Sequence, residues 1–320
     1  MAIPDFTDIP VLVTGGGGFI GSNLVDDLLA RGARVRVLDN FATGRRENLD
    51  HCLDRIELIE GDIREGTTCE ESCRGQRYVF HQAALGSVPR SMEDPATSLD
   101  VNTQGTANLL AGAQMAGVDR FIFASSSSVY GDSDRLPKKE GEEGAPLSPY
   151  AASKSLCEEL AKTFSRCYGL KWVGLRYFNI YGPRQDPAGP YAAVIPRFFD
   201  AFLENKSPVI FGDGDQSRDF TYVADAVLAN LLAAGAADEA CDRAYNVAAG
   251  DRTNVNDLAE LIRQAVGSDA TPIHEPPRAG DVKHSLADLE DASSLLQYEA
   301  KTSLRDGLRL SLPYYLSLQG

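Results

Sequence analysis

The sequence predicts an α/β protein with a doubly wound parallel sheet and a smaller C-terminal α/β domain. Short strand-like runs alternate with longer helical patterns through the first half of the chain. A glycine-rich turn follows the first of these runs, and the alternation ends near residue 178. Such alternation is typical of βαβ units, in which helices cover both faces of a parallel sheet.

Six apolar runs predict the strands of this sheet, at residues 9–14, 35–39, 55–60, 78–81, 121–124 and 172–176. Helical patterns lie near residues 20–31, 97–117 and 149–168. The prolines that break the pattern afterwards are Pro183, Pro187, Pro190 and Pro196.

The later part of the chain predicts shorter elements. Residues 204–214 indicate a loop, a strand and a turn, and residues 245–247 indicate a further strand of the sheet. The tail from Asp251 predicts helices around a short strand at 271–274. We therefore expect a first domain over residues 1–178, to which a segment near 215–250 returns, and a smaller domain over most of residues 179–320.

The composition is that of a globular, acidic chain. Its 320 residues suffice for about two domains, and 43% hydrophobic with 24% charged residues is typical of a soluble enzyme. The net charge of −15 argues against a nucleic-acid partner. The N-terminal segment has no basic region, and its apolar stretch is too short for a signal sequence or a membrane span. We therefore expect a cytoplasmic protein with no membrane partner.

Cysteine and histidine spacing gives no sign of a metal site. None of the six cysteines forms a CxxC pair, and none of the four histidines forms an HxxxH or HxH pair. Cys69 and Cys73 would lie one turn apart on a helix, and we expect both to be reduced thiols.

A glycine-rich motif joins the first predicted strand to the first predicted helix. Gly15, Gly18 and Gly21 have the spacing GxxGxxG. The first permits a tight turn, the second lets a pyrophosphate approach the backbone, and the third lets helix and strand pack closely. The N-terminus of the helix that follows offers free N–H groups to phosphates. The motif therefore predicts a dinucleotide site, although a simple glycine-rich turn would share the pattern.

Residues at the ends of the next predicted strands support this site. Asp39 ends the second strand, where a carboxylate accepts hydrogen bonds from both ribose hydroxyls and repels a 2′-phosphate. We therefore expect NAD rather than NADP, although Arg45 and Arg46 follow closely. Asp62 follows the third strand, where it would bond the adenine amino group. Small residues at 82–84 follow the fourth, where a cofactor would lie against the backbone.

A second motif, Tyr150-Ala-Ala-Ser-Lys154, places a tyrosine and a lysine on one face of a predicted helix. A free tyrosine is a poor base at neutral pH, but a nearby ammonium group favours the phenolate. Four serines at 125–128 follow the fifth strand and could face the tyrosine across a substrate. A turn or capping cluster is the other interpretation of these serines.

With these motifs the chain resembles the extended short-chain dehydrogenase/reductases, and among them the UDP-sugar 4-epimerases, over nearly its whole length. The shared motifs are residues 14–21, 39–44, 61–64, 150–154 and 176–179. The chain is most similar to bacterial UDP-N-acetylglucosamine 4-epimerases of polysaccharide pathways, through residues 81–91, 184–187, 191–196, 212–214, 217–220 and 280–285. The resemblance implies a Rossmann-type domain that binds NAD and a smaller C-terminal domain that binds a UDP-sugar.

The implied reaction is epimerisation at C4 without net oxidation. Tyr150, as phenolate, takes the proton of the 4-hydroxyl while the C4 hydride passes to NAD, and the 4-keto sugar rotates before the hydride returns to its other face. Family correspondence places Ser126 beside the 4-oxygen as a hydrogen-bonding or proton-relaying partner, and Ser127 and Ser128 against the sugar. The run of four serines leaves a shift of this assignment by one residue open.

The resemblance also implies the binding residues. Those for NAD are Gly15, Gly18, Phe19, Ile20, Asp39, Asn40, Phe41, Thr43, Gly44, Asp62, Ile63, Gln82, Ala83, Ala84, Asn102, Ser125, Tyr150, Lys154 and Tyr177. Those for the UDP-sugar are Ser87, Ser126, Ser127, Ser128, Tyr150, Asn179, Ala193, Val194, Phe211, Arg218, Arg278, Asp281 and Ser285. Within the second set, Arg218 and Arg278 correspond to a diphosphate clamp, Asp281 to a ribose ligand and Phe211 to a residue at the uracil.

Ser285 corresponds to the family position that faces the C2 substituent of the hexose. It follows Arg278 by seven positions, as in the family. A tyrosine there excludes N-acetylated sugars, whereas serine leaves room for the acetamido group. We expect interconversion of UDP-N-acetylglucosamine with UDP-N-acetylgalactosamine, and also of UDP-glucose with UDP-galactose. An ordinary polar residue near a strand end is the alternative role for Ser285.

Other functions remain open. A 4,6-dehydratase needs an Asp-Glu pair where Ser127 and Ser128 stand, and UDP-xylose-forming decarboxylases usually carry glutamate in place of Ser128, so both are disfavoured. A UDP-glucuronate 4-epimerase shares the serine-rich segment and is the nearest alternative. A non-catalytic NAD-binding sensor or scaffold is the alternative from another class. Many relatives are dimers through the helices near 97–117 and 149–168, so we expect a homodimer.

Overall fold

A seven-stranded parallel sheet lies at the centre of the protein. The computed structural model describes residues 3–188, 192–277 and 283–319. The strands are β1 (Pro10–Thr14), β2 (Arg34–Asp39), β3 (Ile56–Glu60), β4 (Tyr78–His81), β5 (Arg120–Ser126), β6 (Trp172–Tyr177), β7 (Ile180–Tyr181), β8 (Val209–Phe211), β9 (Ser217–Arg218), β10 (Thr221–Tyr222), β11 (Arg243–Val247), β12 (Thr253–Asn254) and β13 (Ile273–Glu275). The sheet order is β3-β2-β1-β4-β5-β6-β11, with every pairing parallel. This order confirms the predicted doubly wound fold.

Helices cover both faces of the sheet. They are α1 (Phe19–Ala30), α2 (Gly66–Cys73), α3 (Val88–Glu93), α4 (Pro95–Leu99), α5 (Gly105–Ala116), α6 (Pro149–Tyr168), α7 (Val194–Leu203), α8 (Val223–Ala234), α9 (Val255–Val266), α10 (Glu290–Leu296) and α11 (Leu304–Ser317). Successive residues of β1 point to opposite faces, so Val11 and Val13 join the core with α1 and α8, while Leu12 joins the core with α5 and α6.

The predicted helix over residues 97–117 differs from the structure. A π-helical turn, Asp100–Gln104, separates α4 from α5. Asn102 lies in this turn and is buried; its Oδ1 accepts a hydrogen bond from the Leu85 N–H at 2.8 Å, and its Nδ2 donates to Ser153 Oγ at 3.0 Å. These hydrogen bonds stabilise the π-helical turn. The spacing of hydrophobic residues alone does not predict this local change from α-helical geometry.

The later part of the chain forms a second apolar cluster beside the sheet. Residues from α7, α9 and α11 meet there, among them Phe199, Leu258 and Tyr315. Three two-stranded ladders, β7 with β10, β9 with β12 and β8 with β13, connect these helices to the carboxyl end of the sheet. The helices of the described ranges include none that combines the length and the apolar character of a membrane span.

The cysteines of the described chain are all free thiols. Cys69 and Cys73 lie one turn apart on helix α2, as expected from their spacing, and both are fully buried. Burial raises the pKa of each thiol to about 12, so both are protonated and act as small apolar side chains.

Candidate active site

The turn between β1 and α1 fits a dinucleotide pyrophosphate. Gly15 has a φ of +70°, and a Cβ there would lie 2.6 Å from the backbone nitrogen of Ala83. A Cβ on Gly21 would lie 2.0 Å from the carbonyl oxygen of Gly15. Helix α1 begins with no side-chain cap at its N-terminus, so its first N–H groups are available to a phosphate. Both glycine requirements and the free helix end match the predicted NAD site.

Asp39 is held rigidly above this turn. One carboxylate oxygen accepts from the Gly17 N–H and the other from the Phe41 N–H, each at 2.8 Å. Burial raises the pKa of Asp39, while these backbone donors oppose the shift. Each oxygen retains a lone pair, so the carboxylate can accept from both hydroxyls of a ribose.

The two arginines that follow Asp39 already have carboxylate partners. Arg45 Nη2 lies 2.8 Å from Asp186 Oδ2. Arg46 is bonded to Glu60, and its guanidinium lies 4.7 Å from the centre of the Phe41 ring. These pairings leave Asp39 as the group placed to receive the ribose, which fits NAD better than NADP.

Asp62 connects the ends of β2 and β3. Its carboxylate accepts from Arg64 Nη2 at 2.7 Å and from Asn40 Nδ2 at 3.0 Å. The hydrogen bonds with Arg64 are the main reason that the pKa of Asp62 falls to about 2, so it is ionised at neutral pH. Its predicted contact with the adenine amino group remains a prediction.

A closed ring of hydrogen bonds fixes two further residues predicted for NAD. Gln82 Nε2 donates to Asn230 Oδ1 at 2.9 Å, Asn230 Nδ2 donates to Tyr177 Oη at 2.7 Å, and Tyr177 Oη donates to Gln82 Oε1 at 3.0 Å. Asn230 lies on α8, 148 positions from Gln82. The sequence does not predict Asn230 as a member of the site, because no motif links α8 to the ends of the strands.

Helix α6 presents Tyr150 and Lys154 beside the end of β5. Ser148 caps the helix by accepting from the Ala151 N–H at 3.1 Å, and the Tyr150 N–H donates to Ser91 Oγ at 3.1 Å. Lys154 is 4% exposed, and its Nζ donates to the carbonyl oxygen of Ala124 at 2.7 Å. The tyrosine itself is half-buried, so a ligand can reach it.

Burial and then Lys154 lower the pKa of His81 to about 3. The ring of His81 shares hydrogen bonds with Thr14 Oγ1 at 2.7 Å and Thr106 Oγ1 at 3.0 Å. It is therefore a neutral structural group that does not compete with Tyr150 for a proton.

The serine segment has three different side-chain environments. Ser125 Oγ donates to Glu158 Oε1 at 2.5 Å, whereas Ser126 Oγ accepts from the Ser128 N–H at 3.1 Å and so caps the 3₁₀ turn Ser127–Tyr130. The Ser128 hydroxyl is buried and has no hydrogen-bond partner among the described residues. Helix α6 packs against this turn, so the helix that carries Tyr150 lies beside the serine segment.

A cavity of about 780 Å³ lies between the strand ends and α7. The predicted substrate residues that line it are Ser87, Asn179, Ala193, Val194, Phe211 and Arg218. Among the described residues, its lining does not include Ser126, Ser127, Ser128, Tyr150 or Ser285. Arg278 and Asp281 lie outside the described residues.

Ser285 is anchored to the segment that carries Arg218. The Ser285 N–H donates to the carbonyl oxygen of Ser217 at 3.0 Å. Arg218 Nη1 donates to that same oxygen at 3.0 Å and to the carbonyl oxygen of Lys283 at 3.2 Å. The carbonyl oxygen of Ser217 therefore links the backbone of Ser285 directly to the side chain of Arg218.

Within the described ranges, one group of possible metal ligands occurs away from this site. Asp26, His51 and Cys52 approach one another to within 4.8 Å. His51 Nε2 lies 2.6 Å from Asp26 Oδ1, Arg184 donates to Asp26 Oδ2 at 2.7 Å, and Cys52 Sγ donates to the carbonyl oxygen of Leu49. Every member therefore has a protein partner, and the sequence did not predict the group.

The comparisons with known proteins agree with this geometry. Residues 11–248 match the NAD dependent epimerase/dehydratase family. A UDP-glucose 4-epimerase of Mycolicibacterium smegmatis is 37% identical over 95% of this chain and 97% of that protein. A UDP-N-acetyl-alpha-D-glucosaminuronate decarboxylase of Bacillus cytotoxicus is 33% identical over 96% of this chain and 98% of that protein.

A solved structure extends this similarity to three dimensions. It is a UDP-N-acetylglucosamine 4-epimerase from Methanobrevibacter ruminantium in complex with UDP-N-acetylmuramic acid. That protein is 40% identical to this chain, with a TM-score of 0.93 over 98% of this chain and 99% of the other. With the glycine turn, Asp39 and the Tyr150–Lys154 helix in place, the chain belongs to the NAD dependent epimerase/dehydratase family.

Proposed function

We propose that the protein is a UDP-sugar 4-epimerase, in which Tyr150 is the base, Lys154 favours its phenolate and Ser126 holds the 4-oxygen of the sugar. The observation that carries the proposal is the 2.7 Å hydrogen bond from Lys154 Nζ to the carbonyl oxygen of Ala124. This bond joins the helix face that bears the tyrosine to the strand end that bears the serines.

Bound NAD supplies the acceptor and donor of the C4 hydride. In the proposed cycle, Tyr150 takes the proton of the 4-hydroxyl and returns it after the sugar has turned. Lys154 is almost fully buried, so its positive charge acts in a medium of lower dielectric than water and favours the anionic phenolate. Ser126 would exchange its contact with the Ser128 N–H for a hydrogen bond to the sugar oxygen, or keep both.

The 780 Å³ cavity supports a nucleotide sugar as substrate, because it falls within the range for small-molecule sites. In the proposal Phe211 lies at the uracil, Arg218 and Arg278 clamp the diphosphate, and Asp281 binds the ribose. In this proposal the diphosphate is held firmly, while the hexose is held loosely enough to rotate.

For the hexose we propose UDP-N-acetylglucosamine and UDP-N-acetylgalactosamine, with UDP-glucose and UDP-galactose also accepted. Ser285 supports this choice, since its small side chain leaves room at C2. The similarity to the UDP-N-acetylglucosamine 4-epimerase of M. ruminantium also supports it. The B. cytotoxicus decarboxylase and a UDP-glucuronate 4-epimerase are the competing activities, and Ser128 in place of glutamate disfavours the first.

Product chromatography separates these functions. The purified protein is incubated with UDP-glucose, UDP-N-acetylglucosamine and the two corresponding uronates, and the products are identified. We expect the galacto epimers of the first two. A pentose product would support a decarboxylase, and an epimerised uronate alone would support the glucuronate enzyme. Unchanged substrates in all four reactions would contradict the proposal and favour a non-catalytic NAD-binding protein.

A further inference from the structure

A buried ion pair lies behind the helix face that bears the tyrosine. Arg176, near the end of β6, donates to both carboxylate oxygens of Glu158 on α6, from Nε at 3.0 Å and from Nη2 at 2.7 Å. The two side chains are 7% and 6% exposed. Two parallel bonds fix the planes of the two groups relative to each other, which a single contact would not do.

The same carboxylate holds the end of β5. Ser125 Oγ donates to Glu158 Oε1 at 2.5 Å. One helical turn earlier, Lys154 Nζ donates to the carbonyl oxygen of Ala124 at 2.7 Å. Two adjacent residues of β5 are therefore bonded to two side chains four positions apart on α6, and Tyr150 lies one further turn toward the N-terminus. A strand and a helix joined at two successive points cannot slide along each other.

Arg176 also holds the other end of the serine segment. Its Nη1 donates to Tyr130 Oη at 3.1 Å and to Glu143, and its guanidinium lies 5.1 Å from the centre of the Tyr130 ring. Tyr130 is the last residue of the 3₁₀ turn. Ser125, at the other end of the segment, is held through Glu158. One arginine therefore fixes both ends of the loop that carries the substrate serines.

We propose that Glu158 and Arg176 are positioning residues for the proton transfer and fix how the Tyr150 hydroxyl stands relative to the Ser126 hydroxyl. The inference rests on the proposed 4-epimerase function. Neither side chain lines the described cavity. They act indirectly, by holding Ser125 and helix α6 in place. Such positioning matters because displacing reacting groups by about 1 Å lowers the rate about 100-fold.

A role in stability alone predicts a different outcome. Altering one partner of a buried ion pair leaves the other charge buried without full compensation, which is strongly destabilising. A purely structural pair would therefore change thermal stability and would leave the chemistry of the folded protein intact. The two roles are distinguished by kcat measured on folded, NAD-containing protein.

The experiment compares Glu158→Gln and Arg176→Lys with a matched control, Asp225→Asn. Asp225 is a buried carboxylate on α8 that accepts from the Lys301 N–H at 2.7 Å and the Thr302 N–H at 3.3 Å, far along the chain from the serines. We expect both test variants to lose about 10- to 100-fold in kcat, with KM and retained NAD changed less than about twofold. The control should lose thermal stability while its kcat stays within about twofold.

Ser125→Ala provides a milder test that preserves the ion pair. It removes one hydroxyl, so the protein should fold, retain NAD and still lose kcat. In the double variant Ser125→Ala/Glu158→Gln, the two losses should not multiply, because both act through the same contact.

Several results would overturn the proposal. They are an unchanged kcat in Ser125→Ala or in folded Glu158→Gln, multiplicative losses in the double variant, or an equal loss of kcat in Asp225→Asn. If the wild-type protein epimerises no UDP-sugar, the proposed function itself fails, and that result is seen before any variant is assayed.

Discussion

Tyr150 combines an accessible ring with a rigid backbone. Its N–H is bonded to Ser91 Oγ at 3.1 Å, and the neighbouring Ser148 caps the helix. The hydroxyl can therefore be removed without disturbing the helix start. Because the contacts that hold its backbone do not involve the hydroxyl group, Tyr150 is a suitable residue for a direct test.

Tyr150→Phe should abolish turnover while NAD stays bound. The substitution removes only the proton acceptor, and the loss of a general base costs about 10²- to 10⁴-fold in rate. Turnover of UDP-N-acetylglucosamine and the nucleotide released on denaturation are both measured. Near-normal turnover in the variant would show that the base is assigned wrongly.

Ser285→Tyr should suppress epimerisation of N-acetylated substrates and spare UDP-glucose. In the proposed site the added ring would occupy the space of the acetamido group, and the backbone of Ser285 is bonded to the carbonyl oxygen of Ser217. The ratio of kcat/KM for the two substrates should change by about 10-fold or more.

Two results would exclude this role for Ser285. Equal loss of both activities would indicate an effect on folding or on UDP binding. Unchanged use of the acetylated substrates would show that residue 285 does not line the hexose pocket.

At the scale of elements, Asp219 joins three segments of the chain. One carboxylate oxygen accepts from the Ala249 N–H at 2.9 Å, and the other from the Gly250 N–H at 3.2 Å and the Ala287 N–H at 3.3 Å. The residue is fully buried directly beside Arg218. Burial raises its pKa to about 6, although the three backbone donors oppose that shift.

The contribution of Asp219 to stability should therefore fall as pH rises. Its folded pKa of about 6 exceeds the unfolded value of 3.8, so the folded protein binds the proton more tightly. The contribution is full below pH 3.8 and is lost as pH rises through about 6. Compared with Asp219→Asn, the wild-type protein should lose up to about 3 kcal/mol in the free energy of unfolding between pH 4 and pH 7. Urea unfolding at several pH values measures the difference, and a constant difference would contradict the prediction.

At the scale of the whole molecule, the cofactor loop is tied to the later part of the chain. Arg45 pairs with Asp186 at 2.8 Å, and Asn23 Nδ2 donates to the carbonyl oxygen of Pro183 at 3.2 Å. These contacts connect α1 and the loop after β2 with the segment that leads toward α7. We expect these contacts to hinder the release of a bound dinucleotide.

The purified protein should consequently retain NAD. A cycle that ends with the cofactor in its starting state does not require exchange, and Asp39 disfavours a 2′-phosphate. Denaturing the protein and separating the released nucleotides by chromatography tests this expectation. NADP as the main released species would contradict it.

We also expect a homodimer, on the analogy with relatives that pair through the helices corresponding to α5 and α6. Met115 on α5 and Leu156 and Tyr168 on α6 are 67%, 47% and 61% exposed, and the two helices pack against each other. Light scattering after size-exclusion chromatography at micromolar concentration should give twice the chain mass, and Leu156→Glu should reduce it. A monomer mass for the wild-type protein would contradict the analogy.

Several features follow from the sequence because the residues that produce them are near one another along the chain. The period of apolar residues predicts the strands, and α6 runs over Pro149–Tyr168 as expected. The glycine spacing predicts the turn after β1, and the four-residue spacing of Tyr150 and Lys154 puts both on one helix face. Each of these is a local rule of backbone geometry.

Tertiary structure alone decided which distant side chains meet. Ser125 and Glu158 are 33 positions apart in the sequence, and Gln82 and Asn230 are 148 positions apart. A direct hydrogen bond nevertheless joins the side chains of each pair. The π-helical turn at Asn102 likewise depends on contacts with residues of other elements. The period of the hydrophobic residues predicts which face of a helix or strand is buried. It does not predict which residue of another element a buried side chain contacts, because that depends on how the elements pack. The candidate reacting residues could therefore be proposed from the sequence, whereas the network that holds them in place could not.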